Sequence, residues 1–276
     1  MKFNRAILVV LIIGLMIFAA GCGGNTQADA GNTAGNDANA DNNTADNTGN
    51  NMADDSDMGD GKQATVISAD LVLDPALIAL DDVSSQIVAD YLYDGLVVLK
   101  DDGTVDPGLA LTFDEADDGL TYVFTLRTNA VFSDGTPVTA DVILANFNRW
   151  FDQENPLHGD GEYAAWLEYF QGFLGETDAD GNPLSLFDGI EKADDLTVLI
   201  HLNEPVDNFL ETISLPYFSI LNPAALEAGD YGTSASTVDG TGPYVIDSWD
   251  DAGLTLAPNS AFWGDVPTGS LEFSFE

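Results

Sequence analysis

Between Asn25 and Gly61 the chain consists almost entirely of Asn, Asp, Ala, Thr and Gly. A segment with so little apolar surface cannot offset the conformational entropy lost on folding. Any core must therefore be assembled from the residues after it, which confines globular structure to the stretch from Ala64 onward. The 276-residue chain is 45% hydrophobic overall, enough for one or two cores. Residues 22–63 are expected to form an acidic, disordered tether. As a random coil such a tether spans roughly 35 Å on average, and repulsion between its carboxylates stretches it further.

The residues before the tether carry a different signal. Lys2 and Arg5 precede an apolar run from Ala6 to Ala20, followed by Gly21-Cys22-Gly23-Gly24. A charged start, a run of this length and small residues at its end describe an export signal over residues 1–21. The run is short for a stable membrane span. Cys22 is the only cysteine, so the chain has no internal disulfide. Ala19-Ala20-Gly21-Cys22 resembles the lipobox of bacterial-type lipoproteins, with Ala19 in place of the usual Leu. That resemblance implies that the Cys22 thiol is alkylated by diacylglycerol and becomes the first residue of the mature protein. Two or three acyl chains anchor durably where one binds only marginally. The alternative is an ordinary signal peptide beside an incidental cysteine.

Seven Lys and Arg stand against 47 Asp and Glu, a formal charge of −40. Nucleic acid is a poor partner for such a chain, because phosphate contacts need clustered cations. Adsorption to anionic lipid is disfavoured for the same reason. Self-repulsion on this scale needs salt to screen it, so a salt-loving source and an ordinary acidic secreted protein both remain open.

Within the globular part, hydrophobic period and turn chemistry mark the elements. Ala64–Ser68 reads as a short strand that ends before Leu73-Asp74-Pro75. Asp82–Tyr93 reads as a helix with Val83, Ile87, Val88 and Tyr91 on one face, capped by Asp82 or Ser84. Leu96–Leu99 starts a strand that turns at Asp101-Asp102-Gly103. Tyr122, Phe124 and Leu126 alternate with Val123, Thr125 and Arg127, the mark of a half-buried strand. Ser133-Asp134-Gly135-Thr136-Pro137 is a turn in which Gly135 accepts positive φ and Pro137 fixes the exit. Thr139 is placed to cap a helix lined by Ile143, Phe147 and Trp150. Residues 151–188 read as irregular, with Tyr163, Trp166, Tyr169, Phe170 and Phe173 expected to form a local core. Thr197–Leu202 and Leu254–Ala257 are further strands, with helical segment Val206–Ser214 between them. Strands and helices interleave irregularly, so the expected class is mixed α/β (α+β).

Several segments then resemble one family in order along the chain. They are Leu73-Asp74-Pro75, Tyr91-Leu-Tyr-Asp-Gly-Leu96, Asp106-Pro-Gly-Leu-Ala110 and Asp118–Arg127. Val131–Val142, Asp195–Leu202, Thr241-Gly-Pro-Tyr244 and Asn259-Ser-Ala-Phe-Trp-Gly264 follow. Together they resemble the extracytoplasmic solute-binding proteins of ABC transporters, of the oligopeptide, dipeptide and nickel-binding type. The resemblance implies the first lobe of a two-lobed, periplasmic-binding-protein-like clamp that closes on ligand about a hinge. On that reading residues 64–97 begin lobe I, 98–188 form a subdomain inserted in it, and 189–276 continue it. The chain is then expected to stop before lobe II. The implied function is to capture a peptide or similar small solute outside the cell and hand it to a membrane permease. A ligand-sensing receptor lipoprotein on the same fold is the alternative. The first-lobe ligand loop is placed at Asp82, Val83, Ser84 and Ser85, where backbone groups meet an extended ligand, with Thr241 and Gly242 bordering the cleft.

Catalysis lacks parts. His158 and His201 are the only histidines, and no Ser-His-Asp grouping or reactive thiol accompanies them. Asp178-Ala-Asp-Gly-Asn182 puts its glycine at the fourth position, where a calcium loop needs it sixth, and has no glutamate at the twelfth. No glycine-rich phosphate loop opens a helix. No metal or cofactor is expected.

Overall fold

The computed structural model describes residues 65–228 and 238–276. The expected export signal, Cys22 and the acidic tether lie outside the described residues. Strand β1 (Thr65–Ile67) is followed by a 3-10 turn at Pro75–Leu77 and helix α1 (Val83–Leu92). A hairpin of β2 (Val97–Leu99) and β3 (Val105–Pro107) leads to β4 (Ala110–Glu115) and β5 (Thr121–Leu126). Helices α2 (Ala140–Phe151) and α3 (Ala164–Phe170) precede β6 (Phe187–Asp194) and β7 (Thr197–Leu202). Two short helices follow, α4 (Phe209–Ile213) and α5 (Pro223–Ala228), separated by a 3-10 turn at Pro216–Phe218. The described chain ends with β8 (Tyr244–Asp250), β9 (Gly253–Pro258) and β10 (Leu271–Phe275). The class is mixed α/β, as the interleaving of elements implies.

Two four-stranded sheets organise these elements. The first has the order β1-β10-β9-β8, with β1 parallel to β10 and the remaining pairs antiparallel. Thr65 stands opposite Phe273, so the first and last described strands close one sheet. Helix α1 packs on it through Tyr91, whose ring meets Tyr244 edge-on at 5.6 Å and Phe273 at 6.1 Å.

The second sheet is antiparallel throughout, in the order β4-β5-β7-β6. In β5 the alternation holds: Tyr122, Phe124 and Leu126 are buried, and the residues between them are half-buried. Its core is aromatic. Phe187 is fully buried among Phe147, Phe151, Trp166 and Phe170, with centroids 5.0–6.1 Å away. The boundary expected at 188 falls inside β6, whose hairpin with β7 completes this sheet.

The segment read as irregular holds α3, a seven-residue helix whose first turn has no side-chain cap. Its aromatics do form the local core: Tyr163, Trp166, Phe170 and Phe173 are buried, and Tyr169 is half-buried against them. Thr139 occupies the N-cap position of α2 in extended conformation but makes no side-chain capping bond. Gly135 has φ +88°, the left-handed conformation its turn requires. None of the described helices is long and apolar enough to cross a membrane.

Candidate functional site

The N-terminus of α1 is built from side chains that satisfy backbone donors. Asp82 caps the helix: its Oδ1 accepts from the Ser85 amide at 3.0 Å. The two serines face the other way. Ser84 Oγ accepts from the Ser68 amide at 3.0 Å, and Ser85 Oγ from the Val72 amide at 2.8 Å. They fasten the chain entering from β1 onto the first helical turn. The Leu80 carbonyl accepts from Gln86 Nε2 at 3.2 Å and from the Tyr217 hydroxyl at 3.4 Å, holding the preceding turn. Burial and the nearby Tyr169, Asp82, Asp81 and Asp90 push the Tyr217 phenol up to about 12. Ser85 is wholly interior, Asp82 and Ser84 are half-buried, and Val83 is 62% exposed beside exposed Leu80 and Asp81. The start of α1 therefore presents a fixed helical turn with two exposed apolar side chains, Leu80 and Val83.

Thr241 and Gly242 sit at the opposite end of α1. Ten helical residues separate the two groups, about 15 Å at 1.5 Å per residue, so the structure does not bring the six predicted residues together. Thr241 is fully buried, and its Oγ1 accepts from the Asp94 amide at 3.2 Å. The Gly242 amide donates to the Leu92 carbonyl at 3.0 Å. A Cβ on Gly242 would lie 2.6 Å from the Leu92 carbonyl carbon, and one on Gly240 would lie 1.8 Å from the Leu92 carbonyl oxygen. Close approach of two backbones dictates both glycines.

This packing joins a polar knot that sequence reasoning missed. The Trp263 indole donates to Asp94 Oδ2 at 2.8 Å, and the Arg127 guanidinium lies 4.1 Å over the Trp263 ring. Arg127 Nε donates to the Gly108 carbonyl at 2.6 Å, Asn129 Nδ2 to the Trp263 carbonyl at 3.2 Å, and Asn259 Nδ2 to the Gly242 carbonyl at 2.8 Å. Burial raises the Asp94 carboxyl, against the lowering effects of the Trp263 and Thr241 hydrogen bonds and the Arg127 charge. Segments of five of the ordered motifs thus meet at one point and hold one another.

A second buried polar centre was also missed. Arg149 on α2 grips Asp74 of the Leu-Asp-Pro motif with both terminal nitrogens, Nη1 at 3.1 Å from Oδ1 and Nη2 against Oδ2. Its Nε donates to the Leu157 carbonyl at 2.8 Å. His158 Nδ1, 2.7 Å from the Arg149 carbonyl, carries its ring proton, and the imidazole stacks on Tyr163 at 4.1 Å. Burial pushes the Tyr163 phenol up to about 12. Asp74, Arg149, His158, Asp160 and Glu227 line a 410 Å³ cavity beside this pair. The one available signal was composition: a cation on the buried face of a helix, in a chain with so few, implies a carboxylate partner. No group of three or more His, Cys, Asp or Glu among the described residues is placed to hold a metal.

Comparison with known proteins gives these features a context. Residues 104–273 match the family described as bacterial extracellular solute-binding proteins, family 5 Middle. The probable D,D-dipeptide-binding periplasmic protein DdpA of Escherichia coli (strain K12) is 32% identical over 185 residues, 63% of this chain and 31% of that protein. Heme-binding protein A of Haemophilus influenzae is 30% identical over 221 residues, 75% of this chain and 38% of that protein. The periplasmic binding protein DppA of Helicobacter pylori, solved in complex with the peptide STSA, superposes with a TM-score of 0.63 at 25% identity. That superposition covers 77% of this chain and 41% of the DppA chain. The chain spans about a third of the length of the curated relatives it matches.

Proposed function

Because the chain belongs to the bacterial extracellular solute-binding proteins of family 5, we propose that it captures a peptide or similar small solute outside the cell and delivers it to the permease of an ABC importer. The observation that carries this reading is the family match over residues 104–273, supported by relatives whose names record dipeptide and haem binding. The role is binding rather than catalysis. Residues 1–21 direct export, Cys22 carries the lipid anchor, and residues 22–63 tether the globular part within reach of the membrane.

Solute contact falls to Asp82, Val83 and Ser84, on a helix start that the Ser84 and Ser85 hydroxyls hold to the Ser68–Val72 segment. The backbone here is the first turn of α1 and is bonded internally, so the extended pairing expected from the sequence gives way to side-chain contact, with exposed Val83 and Leu80 offering apolar surface to a solute. A second lobe supplies the opposing wall. Thr241 and Gly242 take no direct part; they seat the far end of α1 and so fix its direction.

Thermal-shift screening of the protein carrying both lobes tests the reading, with peptides of two to eight residues alongside a nickel chelate, an oligosaccharide and haem. A ligand that binds only the folded state raises the melting temperature with its concentration. Saturable stabilisation by one solute class is expected. A flat response across the whole panel overturns the proposal. The anchor is tested separately by the mass of the mature N-terminus, which includes the acyl groups on Cys22 or contradicts the lipobox.

A further inference from the structure

The 410 Å³ cavity beside Arg149 is lined by Leu77, the last residue of the 3-10 turn that leads to the start of α1. Gly161, from the loop after α2, approaches that leucine so closely that a Cβ there would lie 2.4 Å from Leu77 Cδ2. The cavity thus lies between this loop and the segment that carries Leu80 and Val83. Its lining is of two kinds. Half-buried Leu77, Leu157 and Leu226 are apolar, whereas exposed Asp160 and Glu227 bring two carboxylates.

With Asp74, three carboxylates meet one cation in this lining. That cation is spent: Arg149 grips Asp74 with both terminal nitrogens and gives Nε to the Leu157 carbonyl. Lys100, Lys192 and Arg127, the other Lys and Arg of the described residues, are engaged outside the cavity. The cavity therefore keeps a negative field. In so acidic a chain the carboxylates alone do not make a site, but His158 adds a group of another kind. Only 7% exposed, it donates through Nδ1 to the Arg149 carbonyl, which leaves Nε2 as a bare acceptor. No described residue donates to that nitrogen, and it is not sealed away. Among the described residues the one sealed side-chain nitrogen or oxygen without a partner is Trp150 Nε1. An imidazole fixed by its stack on Tyr163 at 4.1 Å thus brings a lone pair to the cavity it lines.

We propose that this cavity is the part of the solute site that selects a cation: an ammonium or guanidinium group on an aliphatic stem, as in the lysine or arginine side chain of a captured peptide. The inference deepens the solute-capture reading and rests on it. The stem lies along Leu77, Leu157 and Leu226, and the head faces Asp160 and Glu227. One N–H of the head donates to His158 Nε2. A carboxylate in the same place would meet two like charges and a lone pair, so the lining rejects anions as well as favouring cations.

Calorimetric titration of the protein carrying both lobes tests this with Ala-Lys-Ala and Ala-norleucine-Ala, the second of which keeps the stem and lacks the charge. The lysyl tripeptide is expected to bind about five- to tenfold more tightly, the range for two partly screened charge pairs. Asp160→Asn combined with Glu227→Gln is expected to remove most of that preference. Asp114→Asn combined with Asp188→Asn, an equal charge change at exposed positions of β4 and β6, is expected to leave it intact. Nitrogen NMR of the two histidines supplies a second readout: His158 Nε2 is expected to shift with the lysyl tripeptide and not with the norleucyl one, and His201 with neither. n-Butylamine separates the sources of the cation, since tighter binding of the lysyl tripeptide than of the free amine assigns the cavity to a peptide side chain. Equal binding of the two tripeptides overturns the proposal and leaves solute capture standing. Equal losses in the two double variants would mean diffuse attraction and overturn it as well. Binding of neither tripeptide nor the amine also overturns it, and the thermal-shift panel decides separately whether any solute is captured.

Discussion

The indole nitrogen of Trp263 lies 2.8 Å from Asp94 Oδ2, joining residues 169 positions apart in the chain. The bond ties the connection between β9 and β10 to the end of α1, and Arg127 clamps it from above. Trp263→Phe keeps most of the packing but leaves a buried carboxylate short of a donor. The expected cost is about 1–3 kcal/mol in urea unfolding, the range for an unsatisfied buried acceptor. Asp94→Asn, which keeps an acceptor for the indole and lowers the desolvation penalty, is expected to cost less. Equal stability of Trp263→Phe and the parent would show that the knot does not hold the fold.

Arg149 and Asp74 form the most deeply buried ion pair among the described residues, with side chains 3% and 11% exposed. Removing one partner strands a charge in the interior. Arg149→Leu is expected to lose about 3–5 kcal/mol. The double variant Arg149→Leu with Asp74→Asn is expected to recover most of it, because Asn retains the capping bond to the Ala76 amide while removing the charge. Chemical denaturation of the two variants checks this. A double variant no better than the single one would place the loss in packing instead.

Asp90 gives a pH dependence whose sign is unusual for an aspartate. Its carboxyl is raised by burial from 3.8 to about 6, although the residue sits at an exposed rim. Asp94, itself raised, and Tyr93 line one groove with Asp90, and the Tyr217 phenol is close enough to be raised by the Asp90 charge. Between these two values the native state holds the proton more tightly than the unfolded chain does. Stability from this group is therefore greatest at low pH and falls as pH climbs through about 4 to 6. Asp90→Asn removes the penalty. It is expected to melt above the parent at neutral pH, with the gap closing as the pH drops below about 4. A constant gap across that range would contradict the shift.

Local signals were strong where local physics decides the outcome. The alternation of Tyr122, Phe124 and Leu126 gave β5, the positive φ of Gly135 followed from its turn, and Asp82 proved to be the cap of α1. Weak local signals hid other elements. β4 lies at the edge of its sheet and fully buries only Ala110, so no clean period of two marks it. Helix α3 spans seven residues with no side-chain cap. The polar centres were hidden for a different reason. Asp74 and Arg149 are 75 residues apart, and Asp94 and Trp263 are further still, so neither pairing leaves a mark in any short window. The motif stretches themselves were visible, but their convergence on a single knot belongs to the tertiary fold.

On the function proposed above, the start of α1 is where a solute is held. Hydrogen–deuterium exchange, with and without a peptide that raises the melting temperature, tests it most directly. Slowed exchange is expected at the amides of residues 80–85, with Gly242 unchanged because its amide is buried and already bonded to the Leu92 carbonyl. Protection elsewhere, with residues 80–85 exchanging at the same rate in both states, would contradict it.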